Sequence, residues 1–313
     1  MTTFKKVDEG KKILVEPKIF LTFALVKVAT IGFFDGVHRG HRHLIREVLD
    51  IAEARGCESL VVTFDCHPLS VLNPEKAPKL LSLCDEKVEM LKASGVDEVY
   101  VLPFTKELAK LSARDFMERV LKNQLAVSTL VMGYNHSFGN AESGHDYKAY
   151  GEELGIEVLT ASPLEGVCSS VIRDALRRGD IDAANEGLGY RYSFEGTVVG
   201  GKRVGRQIGF PTANIEIDDD KMLPKVGVYK VKAYLLPKEA KSFPLGEDLG
   251  ETLLGMMNVG EDTVEVHLLG FEGDLYGKNL RIEVENFVRD ERHFDSLEEL
   301  KAQLEKDKEL FTK

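Results

Sequence analysis

The 313-residue sequence predicts an α/β domain on a parallel sheet, followed by a small antiparallel β-barrel closed by a terminal helix. Two observations lead there. Up to about residue 185, short apolar runs alternate with segments of helical periodicity. From about residue 190 the period becomes two, glycine-rich turns separate the runs, and no helix is expected until the C-terminus. The length suits two such units, each with its own core.

In the first half, strands are expected at 28–32 ("VATIG"), 59–64 ("SLVVTF"), 98–102 ("EVYVL"), 129–133 ("TLVMG") and 157–160 ("EVLT"). Between the first two lies "GHRHLIREVLDIAEARG", with Leu44, Ile45, Val48 and Leu49 on one helical face. "DEKVEMLKASG" and "SARDFMERVLKN" read as helices, the second opening on a Ser112–Asp115 capping pattern. Strands alternating with helices favour a parallel sheet covered on both faces, with ligands at the carboxyl ends of the strands. In the second half, 227–236, 263–271 and 279–287 alternate as half-buried strands, and "SLEELKAQLEKDKELF" reads as the closing helix. The domain boundary is expected near 185–190, giving 1–187 and 188–313.

Composition excludes several classes. Apolar residues at 43% and charged residues at 30% describe an ordinary soluble chain, and no run approaches the length of a membrane span. The N-terminus lacks the apolar region of a secretory signal. Cys57, Cys66, Cys84 and Cys168 form no CxxC pair, which fits a reducing cytoplasm. A net charge of −11 argues against a nucleic-acid or acidic-membrane partner. The charge leaves room for a small anionic substrate, since a local cluster of His, Arg and backbone N–H groups can outweigh it, and the chain is expected to be a monomer or weak homo-oligomer working on small molecules.

Chemistry concentrates first in "GFFDGVHRGH" (32–41). A strand ends at Gly32, and His38 and His41 sit three apart where a helix begins, so they can share a face. A helix N-terminus carries unpaired N–H groups and partial positive charge, suited to phosphate. Taken alone, the pattern fits either a phosphate site or a tight turn with solvent-facing histidines. It is not a Walker A loop, and zinc is disfavoured because no cysteine pair or HExxH accompanies it. A second element, "SSVIRDAL", sets Ser169 and Ser170 at a helix start with Arg173 one turn in, which suits phosphate but also fits a capped surface helix.

"GFFDGVHRGH" resembles the signature of the HxGH nucleotidylyltransferases. With "TFDCHPLSVL" (63–72), the stretch 80–116, "VMGYNHSFG" (131–139) and "VCSSVIRDALRRGDI" (167–181), the chain resembles the bacterial bifunctional riboflavin kinase/FMN adenylyltransferases, or prokaryotic FAD synthetases, over roughly 28–310. The resemblance implies a Rossmann-like nucleotidylyltransferase domain and a six-stranded riboflavin kinase barrel. It implies that His38 and His41 contact ATP phosphates, that Gly32, Phe33 and Asp35 shape the turn, and that Asn135 helps hold the flavin nucleotide or ATP. Ser169, Ser170 and Arg173 match the family's Ser-Ser-Thr-x-Ile-Arg segment, with Ser170 in the Thr place and Arg173 steadying the triphosphate. Cys168 and Cys66 depart from the usual Ser and Pro.

The second dense stretch is "GTVVGGKRVGRQIGFPTANI" (196–215). Its glycines permit close backbone approach to phosphate, and Lys202, Arg203 and Arg206 give local positive charge. Thr212 and Asn214 supply hard oxygens two residues apart, suited to Mg²⁺ beside a nucleotide, although a glycine-rich hairpin explains the pattern equally. The stretch resembles the riboflavin kinase signature. That resemblance implies an ATP and flavin site including Gly205, Arg206, Gly209, Thr212, Asn214 and Arg289, with Mg²⁺ on Thr212 and Asn214. Glu265 in "VEVHLL" would be the base that takes the flavin hydroxyl proton. Family members commonly carry Gly-x-Arg-Pro-Thr before that strand and Asp where Gly270 stands. Here the loop is the shorter "NVGEDT", a departure that bears on how the flavin loop closes.

The implied reactions convert riboflavin to FMN in the barrel and FMN to FAD in the α/β domain, both using ATP and Mg²⁺. Rival readings are a nucleotidylyltransferase for another phosphorylated acceptor, which leaves the "PTAN" barrel without a task, and a flavin-binding or regulatory homologue with a weakened kinase site. A class I aminoacyl-tRNA synthetase shares HxGH, but no KMSKS-like segment or basic RNA face accompanies it here.

Overall fold

The computed structural model describes residues 26–134, 137–140, 146–201, 204–237 and 252–311. Asn135, Lys202 and Arg203 lie outside the described residues.

Five strands form the first sheet: β1 (Lys27–Ile31), β2 (Glu58–Phe64), β3 (Glu98–Leu102), β4 (Val127–Met132) and β5 (Glu157–Thr160). Their order is β3-β2-β1-β4-β5 and every pairing is parallel. β1 and β2 are almost wholly buried, as expected for strands covered on both faces. One covering helix is α1 (Arg39–Arg55), which sends Leu44, Ile45, Val48 and Ala52 into the core and ends at Gly56 with φ 61°. The strand order reverses between β1 and β4, so a crevice opens beyond their carboxyl ends. Helices α2 (Pro68–Leu72), α3 (Cys84–Ala93) and α5 (Tyr147–Leu154) fill other connections. α4 (Ala113–Phe116) is capped by Ser112, whose Oγ accepts from Asp115 N at 3.0 Å, and continues as a π-helical segment, Met117–Gln124.

The second sheet is a closed six-stranded barrel. Its strands are β6 (Ser193–Val199), β7 (Ala213–Glu216), β8 (Gly227–Leu235), β9 (Leu253–Val259), β10 (Val264–Leu268) and β11 (Asn279–Arg289), ordered β10-β7-β6-β11-β8-β9. The expectation that no helix interrupts these strands is corrected by a helical turn, α8 (Val204–Gln207), inside the glycine-rich loop. The terminal helix α9 (Leu297–Phe311) lays Leu300 and Leu304 over Ile208, Phe210 and Met256.

Helices α6 (Ser169–Arg178) and α7 (Ile181–Leu188) join the halves. Ile172, Leu176, Ile181 and Leu188 belong to the same apolar cluster as Tyr192, Phe194 and the barrel interior. Thus α6 carries its N-terminal residues to the first sheet while packing with the second domain.

Candidate active sites

The chain beyond β1 turns sharply. Phe34, Gly36 and Val37 have φ of 55°, 74° and 33°, and the left-handed region is costly for Phe and especially for β-branched Val. Partners outside the turn hold it. Asp35, 3% exposed, accepts hydrogen bonds from Leu81 N (3.1 Å) and Ser82 N (3.0 Å), and Arg173 Nη2 donates to it within a buried ion pair. Gly36 N donates to Ser82 Oγ (2.8 Å), and the Tyr190 hydroxyl donates to Gly36 O (2.5 Å). A Cβ on Gly36 would lie 3.0 Å from Leu81 Cβ, so this position is restricted by space as well as by φ.

His38 is the N-cap of α1. Its Nδ1 accepts from the His41 backbone N–H at 3.3 Å, and the two imidazoles stack with centroids 3.6 Å apart and planes 17° apart. Desolvation lowers the His38 pKa to about 4; Asp35 opposes the shift and Arg42 and Arg173 reinforce it. His38 is therefore neutral at pH 7. Because Nδ1 is an acceptor, its proton sits on Nε2, which is left as a donor.

A cavity of about 440 Å³ opens over this turn, and Gly32, Phe33, Asp35, His38, His41, Ser169 and Arg173 all line it. Ser169 Oγ donates to Asp35 O at 3.2 Å. Ser170 is not among the lining residues; it is exposed and hydrogen-bonds Cys168 Sγ at 3.0 Å. Cys168, not a serine, is the N-cap of α6, and its side chain makes no capping bond.

Phe33 also lines a second, apolar cavity of about 250 Å³ together with Phe64, Phe104, Phe116 and Phe138. The Phe33 ring meets His67 edge-on at 4.9 Å, and Lys87 Nζ sits 3.8 Å from its centroid. Burial lowers the Lys87 pKa to about 8. Sequence reading did not single out this aromatic slot. Its phenylalanines come from separate elements, and only the recurrence of Phe near strand ends hinted at it.

In the barrel, β7 and β10 pair so that Asn214 faces Glu265, while Asn258 of β9 is its partner on the other side. Thr212 Oγ1 donates to Glu265 Oε2 at 3.5 Å. Gly205 N-terminal to Phe210 closes the loop, with Phe210 N donating to Gly205 O at 2.8 Å. A Cβ on Gly205 would come within 2.1 Å of Phe210 O, and one on Gly201 within 1.9 Å of Asn214 Nδ2. Gly209 has φ 83°. Thr212 divides two cavities. Arg206, Phe271 and Tyr276 line the smaller, about 80 Å³; Gly205, Asn258, Glu265, His267 and Arg289 line the larger, about 260 Å³. Arg289 is held by Asp307 of α9, with Nη2 2.7 Å from Oδ2. The shortened loop is a tight hairpin in which Gly260 N donates to Thr263 O (2.8 Å), so Val259 still pairs with Val264 and Glu265 keeps its register. Gly270 has φ 71°, a conformation that suits glycine.

Residues 23–172 match the FAD synthetase family and residues 188–313 the riboflavin kinase family. The bifunctional riboflavin kinase/FMN adenylyltransferase of Listeria monocytogenes is 37% identical over 298 residues, covering 90% of each chain. The protein of the same description from Bacillus subtilis is 34% identical over 301 residues, again covering 90% of each chain. The chain belongs to the bifunctional riboflavin kinase/FMN adenylyltransferase family. A crystal structure from Streptococcus pneumoniae described as a macrolide-efflux protein superposes with a TM-score of 0.80 at 28% identity, covering 92% of this chain and 94% of that one. Efflux is said of that protein; among the described residues here, no helix is long and apolar enough to cross a membrane.

The largest of these cavities is at neither cluster. It measures about 550 Å³, lies between the domains, and is lined by seven carboxylates including Asp65, Glu86, Glu216 and Asp218. Such a lining repels polyphosphate, so the smaller cavities over His38 and beside Thr212 are the better candidates for ATP.

Proposed function

We propose that the two clusters are the two active sites of this FAD synthetase: the barrel phosphorylates riboflavin to FMN, and the α/β domain adenylylates FMN to FAD. What supports the division of labour is that the N-terminal residues line one cavity and barrel residues line two others that meet at Thr212. Seven of the eight described residues expected at the N-terminal site line one cavity.

In the first site the ATP triphosphate lies over the turn. His38 Nε2–H and the Arg173 guanidinium donate to its oxygens, and Asp35 holds Arg173 from behind. The aromatic slot beyond Phe33 takes the isoalloxazine ring, whose flat apolar faces match phenylalanine. An FMN phosphate oxygen attacks the α-phosphorus, the bond to the β-phosphate oxygen breaks, and pyrophosphate leaves. The attacking phosphate is already ionised, so alignment and charge stabilisation carry the step and no base is needed.

In the barrel, the ribityl 5′-hydroxyl attacks the γ-phosphorus and gives its proton to Glu265; ADP leaves. We place Mg²⁺ with ATP at Thr212 and Asn214. Their side-chain oxygens are hard, neutral donors, Asn214 is the cross-strand partner of Glu265 while Thr212 Oγ1 lies 3.5 Å from its Oε2, and the missing Cβ of Gly201 leaves room at Asn214. Mg²⁺ there would offset charge on the transferring phosphoryl group. Riboflavin fits the larger cavity under α9, and the phosphate chain the loop around Gly205, Arg206 and Gly209.

The functional division is placed at 187/188, because α6 delivers Ser169 and Arg173 to the first site despite packing with the barrel. The four free cysteines and the use of ATP suit the cytoplasm. The test is a time course with riboflavin, ATP and Mg²⁺: FMN should appear first and FAD after it. Consumption of ATP without either flavin product would remove the proposal.

A further inference from the structure

Lys221 belongs to the barrel domain, in the connection between β7 and β8, yet it is 4% exposed and its ammonium lies inside the other domain's edge. Its Nζ donates to Leu81 O at 3.0 Å and to Glu86 Oε2 at 2.5 Å. The backbones meet too. Leu80 N donates to Asp220 O (2.7 Å), Met222 N donates to Leu80 O (2.8 Å), and Leu80 and Lys221 form a parallel bridge.

The far edge of the same short segment holds the adenylyl-transfer turn. Leu81 O and Ser82 N belong to one peptide unit. Lys221 donates to its carbonyl, while its N–H donates to Asp35 Oδ1 at 3.0 Å. Leu81 N adds a bond to Asp35 Oδ2, Arg173 Nη2 pairs with Asp35, and Arg173 Nε donates to Lys79 O at 3.0 Å. A cation on a carbonyl polarises its peptide and strengthens the N–H bond on the other side, the more so where water is excluded. Ammonium, peptide, carboxylate and guanidinium thus form one chain from the barrel to the cavity over His38.

We propose that Lys221 is a positioning residue for adenylyl transfer, so that a kinase-domain side chain sets the Asp35–Arg173 pair of the neighbouring site. This rests on the reading of the His38 cavity as that site. The interdomain seam then carries function as well as packing: the adenylyl-transfer site is complete only when the barrel is docked.

The test uses the full chain and measures both activities on each sample. Lys221→Met should lower kcat for FAD formation from supplied FMN about tenfold, the scale of one lost charged hydrogen bond, with KM for FMN unchanged. FMN formation from riboflavin should stay within about twofold. Lys221→Arg, which keeps a cationic donor, should recover most of the loss. Lys221→Met/Glu86→Gln removes the partner left buried and unpaired, and should fold while retaining the kcat defect. His38→Ala serves as the control for the site itself. If His38→Ala destroys FAD formation while both Lys221 variants leave it intact, the coupling is wrong and the site stands. Parallel loss of both activities in the double variant would make Lys221 a structural strut and overturn the proposal. Full FAD formation by His38→Ala would remove the site assignment and the coupling together.

Discussion

Replacing His38 with glutamine removes a buried imidazole that resists protonation, and the consequence can be worked out in advance. Burial lowers its pKa from 6.5 to about 4 in the folded chain. Between those values the unfolded chain binds more protons, so stability rises with pH, is fully present above 6.5, and is lost on acidification toward 4. At pH 5 the unfolded histidine is roughly 97% charged and the folded one about 10%, which amounts to a loss of about 2 kcal/mol; the limiting loss is about 3 kcal/mol. His38 is 5% exposed, so solvent screening reduces these figures little. Urea unfolding of wild type and His38→Gln at pH 7 and pH 5, followed by far-UV circular dichroism, isolates the term because other groups cancel in the difference. The variant should gain about 2 kcal/mol on wild type between the two pH values. A stability difference that does not change with pH would refute the neutral, buried His38, and with it the Nε2–H donor assigned to the triphosphate.

Three further outcomes follow from the geometry. Asp35→Asn leaves Arg173 buried without its counter-charge, and should cost about 3–5 kcal/mol of stability in denaturant unfolding; a loss below about 1 kcal/mol would contradict the pairing. Phe104→Ala removes one wall of the aromatic slot and should raise KM for FMN about tenfold in adenylyl transfer, with riboflavin phosphorylation unchanged in steady-state assays. Gly205→Ala drives a Cβ into Phe210 O and should lower kinase kcat about a hundredfold while FAD formation from FMN persists.

Much of the architecture was legible because local periodicity survives in it. The parallel strands at 98–102 and 157–160 fall where the apolar runs place them, and the other three differ by one or two residues at one or both ends. β9 escaped because apolar residues fall on both of its faces. Met257 enters the barrel core and Met256 packs under α9, which erases the alternation that marks a half-exposed strand. The helical turn Val204–Gln207 lay hidden in a glycine-rich loop whose propensity argues against helix. His38, His41, Asp35 and Arg173 were readable as motif residues, and the fold brings them to one cavity although Asp35 and Arg173 are 138 residues apart. Arg289 was expected near the flavin; it lines the cavity holding Glu265 but spends its guanidinium largely on Asp307. The Lys221–Glu86 pair could not be read at all. It joins residues 135 apart, and although Glu86 falls in the 80–116 stretch, nothing local ties it to Lys221.

Two separable active sites on one chain make a direct demand on mixtures of disabled proteins. His38→Ala given riboflavin, ATP and Mg²⁺ should stop at FMN, and Glu265→Gln should make FAD only when FMN is supplied. Mixed together, the two should convert riboflavin to FAD, because FMN released by one barrel reaches the intact α/β site of the other chain. Neither flavin product from the mixture, or FAD from either variant alone at the wild-type rate, would contradict the assignment of the two reactions to these two clusters.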